Sequence, residues 1–143
     1  NTSSVAGFIG VFGYTDYNMT KFGIIGFSEA LKQEVAPHNI KVSVLCPPDT
    51  DTPGLAEENK TKPAETLAIS GNAKVVSAEY VATCAVNAIG KNKFLILPGF
   101  DSKLTYFLKR FFPGLLEWVM DNSIKKSQTL PAGRQEDKLK SQK

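Results

Sequence analysis

A serine, a tyrosine and a lysine near the start of the chain have the types and spacing for acid–base chemistry. Ser4 opens the run Ser4-Val5-Ala6-Gly7, Tyr17 follows thirteen positions later, and Lys21 lies four beyond the tyrosine. On a helix, residues i and i+4 share a face, so Tyr17 and Lys21 can point into one cleft. An ammonium beside a phenol favours the phenolate. Such a pair could pass a proton near neutral pH, which an ordinary tyrosine with a pKa of about 10 does poorly. The pattern Y-x-x-x-K alone is common, so its weight depends on the elements that carry it.

Those elements can be read in order. Residues 1–4 read as the end of a strand. Residues 5–16, with Gly7, Phe8, Gly10, Phe12, Gly13 and Tyr14, read as a loop whose glycine spacing is not that of a phosphate cradle. Asp16 is placed to cap the next helix. That helix is predicted over residues 17–35 from Ile24, Phe27, Leu31 and Val35 at helical spacing, and Pro37 stops it. Residues 40–46 read as a strand rich in β-branched side chains, its apolar end buried on both faces as in a parallel sheet. Strand, helix and strand form a βαβ unit. The loop Pro47-Pro48-Asp49-Thr50-Asp51-Thr52-Pro53-Gly54 leaves the carboxyl end of that strand, where open α/β sheets place ligands. Residues 55–76 are polar and read as a long loop with one or two short helices, either a substrate lid or a solvated connection. Ser77 caps a helix to about Ile89, with Val81, Cys84, Ala85 and Ala88 on its apolar face and Gly90 at its end. Residues 94–98 read as a third short strand.

Composition narrows the function classes. The 143 residues suit one modest domain, and 42% apolar with 22% charged residues is ordinary for a globular protein. Of the net charge of +3, residues 124–143 carry +4 and the rest −1, so the basic balance belongs to the tail and does not mark a nucleic-acid face. Cys46 and Cys84 lie in apolar runs and read as small buried hydrophobes of a reducing compartment. His38 sits in a turn, no His/Cys group has metal-ligand spacing, and no metal is expected. Neither a signal peptide nor a long apolar run is visible, which points to a cytoplasmic location. The triplets at Asn1, Asn18 and Asn59 that match the glycosylation pattern are read as chance. Residues 101–126 are helical in pattern and very apolar, with a break at Pro113-Gly114 and Lys103, Lys109 and Arg110 alongside. They fit a helix packed on the body or on a partner subunit, or an amphipathic segment on a membrane, with packing favoured. Residues 127–143 read as a basic, disordered tail.

Together, the Ser-Val-Ala-Gly run, the gap to Tyr17, Lys21 and the proline-led loop resemble the short-chain dehydrogenase/reductases over residues 1–100. Within that family, residues 47–54 followed by Glu57-Glu58-Asn59-Lys60-Thr61-Lys62-Pro63 look most like the 3-ketodihydrosphingosine reductases, with Pro47-Pro48 where most relatives have Pro-Gly. The resemblance implies an α/β fold, the last three strands of a Rossmann-like, three-layer parallel sheet with flanking helices. It implies the C-terminal part of a longer reductase, whose Gly-rich phosphate turn, ribose-reading residue and catalytic asparagine precede it. The implied activity is NADPH-dependent reduction of a ketone to an alcohol, with NADH left open. The substrate would be 3-ketodihydrosphingosine or a similar long-chain lipid ketone. Ser4 would hold the substrate carbonyl, Tyr17 would donate the proton, and Lys21 would tune Tyr17 and bond the nicotinamide ribose. Pro47, Thr50 and Thr52 would line the cofactor, Thr52 at its carboxamide. A steroid, sugar or acyl-thioester ketone is the alternative substrate. A non-catalytic dinucleotide-binding or scaffolding protein is the alternative of another class. The fragment by itself is expected to bind NADPH poorly and to leave a strand edge unpaired, and the full-length enzyme is expected to be a homo-oligomer.

Overall fold

The computed structural model describes residues 1–70 and 73–129. In chain order they form a 3-10 turn at Val5–Gly7, helix α1 (Thr15–Glu34), a second 3-10 turn at Ala36–His38, strands β1 (Val44–Leu45) and β2 (Thr50–Asp51), helices α2 (Pro53–Glu58) and α3 (Ala64–Ser70), strand β3 (Val76–Ser77), helix α4 (Ala78–Ile89), strand β4 (Leu95–Ile96), and helices α5 (Phe100–Phe111) and α6 (Pro113–Gln128).

The sheet is built around β1. On one side Thr2 bridges Leu45 in parallel, and on the other Val44 and Leu45 pair in parallel with Leu95 and Ile96. Three neighbouring parallel segments with helices between them are the arrangement of a partial Rossmann-like sheet. Val44 and Cys46 are fully buried and form the core with Phe8 and Ile9, against which Ile25, Leu97 and Leu116 pack. The Phe8 ring meets Tyr106 of α5 edge to face at 5.2 Å, which joins the early loop to the C-terminal helices.

Several elements differ from the sequence reading. The strand predicted over 40–46 is ordered as a strand only at Val44–Leu45. Before it, the Ser43 hydroxyl donates to Lys93 O and its carbonyl accepts from the N-terminal ammonium. A second parallel pair, Thr50 with Val76 and Asp51 with Ser77, was not foreseen. Helix α1 begins at Thr15, so Asp16 lies inside its first turn rather than at its cap, where its carboxylate accepts from Tyr17 N at 2.8 Å. Phe27 is 61% exposed, and the fully buried position on α1 is Ser28. The helix is turned this way because Ser28 Oγ accepts from Asn1 Nδ2 at 2.7 Å and donates to Ile24 O, docking α1 on the first residues.

Other expectations hold. Ser77 Oγ caps α4 by accepting from Tyr80 N, and Val81 and Ala88 are its buried residues. The break at Pro113 separates α5 from α6. The tail expectation falls on residues 127–143, of which Ser127 and Gln128 finish α6 and 130–143 lie outside the described residues.

Both cysteines are free, Cys46 buried and Cys84 half-buried. Burial pushes the Cys46 thiol up to about 11, against a smaller downward pull from Ser3, Ser4 and Lys21. Because the thiolate is the reactive form, iodoacetamide at pH 8 should modify Cys84 and spare Cys46 until the chain is unfolded. Peptide mass spectrometry reads this, and equal labelling of the two in the folded protein would contradict it.

Candidate active site

Ser4 ends the first extended segment. Its backbone is extended and its Oγ accepts from Ala6 N at 3.2 Å, capping the 3-10 turn. The next amide, Val5 N, donates to Pro47 O at 3.0 Å, so Ser4 sits where the first segment meets the loop after β1. Tyr17 and Lys21 lie one turn apart on α1, with Lys21 Nζ 5.4 Å from the Tyr17 ring centroid and 3.4 Å from Thr2 O. Two contacts hold α1 against the serine turn. Ser3 Oγ donates to Lys21 O at 2.7 Å. Gly7 lets the turn approach, since a Cβ there would come within 2.9 Å of both Lys21 O and Ile25 Cδ1.

Ser4 and Tyr17 line the same cavity, about 230 Å³ in volume, walled by the early loop, α3, α5 and α6. Lys21 is not in its wall; it stands behind Tyr17. Nor are Pro47, Thr50 and Thr52, whereas their neighbours Pro48 and Asp49 are. Pro47 holds Val5 through its carbonyl. Thr50 lies in β2 and donates to Pro48 O at 2.9 Å. Thr52 is exposed at the N-terminus of α2, where its Oγ1 accepts from Leu55 N at 3.2 Å.

Residues 1–63 match the family model described as short chain dehydrogenase. The match contains the serine, the tyrosine, the lysine and the loop after β1. Over residues 1–63 the chain is thus similar to the short-chain dehydrogenases. Over 92 residues the chain is 53% identical to 3-dehydrosphinganine reductase of Danio rerio, covering 64% of this chain and 28% of that protein. It is 58% identical over 80 residues to 3-ketodihydrosphingosine reductase of Mus musculus, 56% of this chain and 24% of that one. With the Dictyostelium discoideum 3-ketodihydrosphingosine reductase it shares 45% over 113 residues, 79% of this chain and 33% of the other. The chain thus spans about a quarter to a third of the length of these relatives.

In this segment two supporting groups escaped the sequence reading. The first is Asn18. Its Nδ2 donates to Ala6 O at 2.6 Å and to Ile9 O at 2.8 Å, and its Oδ1 accepts from Val11 N at 3.0 Å. One side chain beside Tyr17 therefore fixes the loop that forms the cavity wall. Its amide is used up in backbone bonds, which leaves no nitrogen for a glycan. A single asparagine in a loop-to-helix junction carries no pattern that announces this role.

The second is a charged cluster between the loop and the segment 53–70. The Lys62 side chain is 1% exposed, with Nζ 3.0 Å from Glu58 Oε1 and 3.4 Å from Asp49 Oδ2. The Tyr14 hydroxyl donates to the same Glu58 oxygen, and the Tyr14 ring meets Tyr17 at 5.5 Å. Burial, then Glu58, hold the Tyr14 phenol well above its ordinary value, so it stays a donor. Nearby, Thr66 Oγ1 donates to Phe12 O at 2.7 Å. Glu58 and Lys62 have the favourable i,i+4 order in the sequence, but their burial comes from the opposing loop. Replacing Lys62 with Met removes the cation shared by two half-exposed carboxylates. A loss of about 1–2 kcal/mol is expected, below the full cost of a buried pair because solvent reaches both acids. Urea denaturation should show it, together with faster proteolysis within residues 53–76. Unchanged stability and cleavage would mean the cluster does not hold this segment.

Proposed function

We propose that this chain supplies the proton-donating side of a short-chain reductase site that reduces 3-ketodihydrosphingosine, or a similar long-chain lipid ketone, with NADPH. The observation that carries the reading is the placement of Ser4 and Tyr17 on one largely apolar cavity with Lys21 a helical turn behind the tyrosine. The relatives' names supply the substrate. The side chains present suit the nicotinamide end of the cofactor. Lys21 Nζ makes one long bond to Thr2 O and keeps donors for ribose hydroxyls, and Thr52 lies in the exposed loop that would meet the carboxamide. NADPH, when bound, supplies the hydride. The Ser4 hydroxyl donates a hydrogen bond to the ketone oxygen. Tyr17 passes its proton to that oxygen as negative charge develops there, and the Lys21 ammonium stabilises the phenolate left behind. Val5, Ile9, Leu116 and Val119 keep water from the reacting carbon.

The test uses protein expressed from the complete open reading frame. Tyr17→Phe should lower turnover of 3-ketodihydrosphingosine by about 100-fold or more, the scale of a lost general acid, with NADPH binding retained. Unchanged turnover would remove Tyr17 from the mechanism, and retained NADPH binding without turnover in the parent protein would favour the non-catalytic alternative.

The same reading extends to a lipid surface. Helices α5 and α6, with Phe112 between them, expose Phe100, Phe107, Phe111, Phe112, Leu115 and Trp118, and Lys103 and Arg110 lie on α5. Aromatic groups flanked by cations are the composition of an interfacial segment. Among the described residues no helix is long and apolar enough to cross a membrane. Flotation with anionic vesicles should fall on Phe111→Ala with Trp118→Ala, and equal flotation would assign this face to protein packing instead.

A further inference from the structure

The cavity beside Ser4 and Tyr17 has a one-sided polarity. Ile9, Ile69, Leu116, Val119 and Met120 give it an apolar wall, and its charged lining is Asp49, Glu58 and Asp101 with no lysine or arginine. Glu58 is engaged by Lys62 and Tyr14, and Asp49 by Lys62. Asp101 is different: among the described residues no ion pair includes it. Its neighbour Ser102 is 1% exposed and lines the same cavity. The Ser102 Oγ is buried with no hydrogen-bond partner, the one such side-chain atom among the described residues. A buried hydroxyl without a partner is costly. It stands beside a carboxylate that is in no ion pair among the described residues, so the two together offer acceptors to a ligand.

We propose that Asp101 and Ser102, at the start of α5, form a subsite for a protonated primary amine carried on a long apolar chain. The ammonium would donate to the Asp101 carboxylate and to Ser102 Oγ. These are charge-assisted bonds, made where the exposed Asp101 carboxylate meets the buried Ser102 on the cavity wall. The chain would lie along Leu116, Val119 and Met120. This rests on the reductase reading above. In 3-ketodihydrosphingosine the amine is borne by the carbon next to the ketone. Holding the ammonium at Asp101 therefore keeps the carbonyl in the cavity that Ser4 and Tyr17 share. A ketone without the amine would leave Asp101 and Ser102 unanswered, which is how a site built for hydrogen bonds rejects an analogue.

Two measurements on protein from the complete open reading frame test it. The first compares kcat/KM for 3-ketodihydrosphingosine with that for the same ketone bearing hydrogen in place of the amine, both in detergent micelles. A preference of about tenfold or more for the amine is expected, the scale of one charge-assisted bond. Asp101→Asn should remove that preference by raising KM for the amine-bearing ketone, with its kcat little changed. Equal efficiency for the two ketones in the parent protein would overturn the subsite and leave the reductase reading standing. The second measures binding of sphinganine against N-acetylsphinganine without turnover. About tenfold tighter binding of the free amine, abolished in Asp101→Asn, supports the subsite, and equal binding overturns it. If neither ketone is reduced, the reductase reading falls, and the binding comparison still decides whether the cavity reads an amine.

Discussion

Everything at this site hangs on the backbone pairing between the first five residues and residues 45–47. Leu45 N donates to Asn1 O, Ser3 N to Leu45 O and Val5 N to Pro47 O, all at 2.8–3.0 Å. These bonds bring the two ends of a long α1 excursion side by side. They put Ser4 next to the loop that follows β1, at the carboxyl end of the sheet where α/β proteins leave room for ligands. The same first residues also hold α1, through Ser3 Oγ on Lys21 O and Asn1 Nδ2 on Ser28 Oγ. Without that pairing, Tyr17 and Lys21 would share a helix face but not a cavity with Ser4.

A second layer of constraint joins the segment after β1 to this platform. Lys62, buried between Glu58 and Asp49, and Thr66, bonded to Phe12 O, seat α2 and α3 on the loop beside Tyr17. The cluster is polar, so it closes the cavity without adding to its apolar wall. It also consumes two of the three acids that line the cavity, which is why Asp101 stands apart. The fold thus separates acids used for holding a wall from the acid left to meet a ligand.

Much of the framework was legible in the chain. Ser77 at the start of α4, the stripe of Val81 and Ala88, and Pro113 between α5 and α6 are local signals, set by capping, by periodicity and by the missing proline amide. Parallel strands were foreseen because the run ending in Cys46 is apolar on both faces. The misses share a cause. The strand over 40–46 is ordered only where it meets Thr2 and Leu95–Ile96, which come from far along the chain, and Phe27 faces solvent because a serine, held by Asn1 from 27 residues away, claims the inner face. Neither partner is visible from within the segment concerned.

The amino-acid sequence by itself supplied the residue types and their spacing: a serine, a tyrosine and a lysine in a segment similar to the short-chain dehydrogenases. That follows because helix period and turn chemistry act over a few residues. Tertiary structure alone decided what stands around them. Asn18 as a clamp, Lys62 as a buried tie, and Asp101 with Ser102 on the cavity wall depend on burial and on partners many residues away. Burial belongs to the packed chain, and no local pattern contains it.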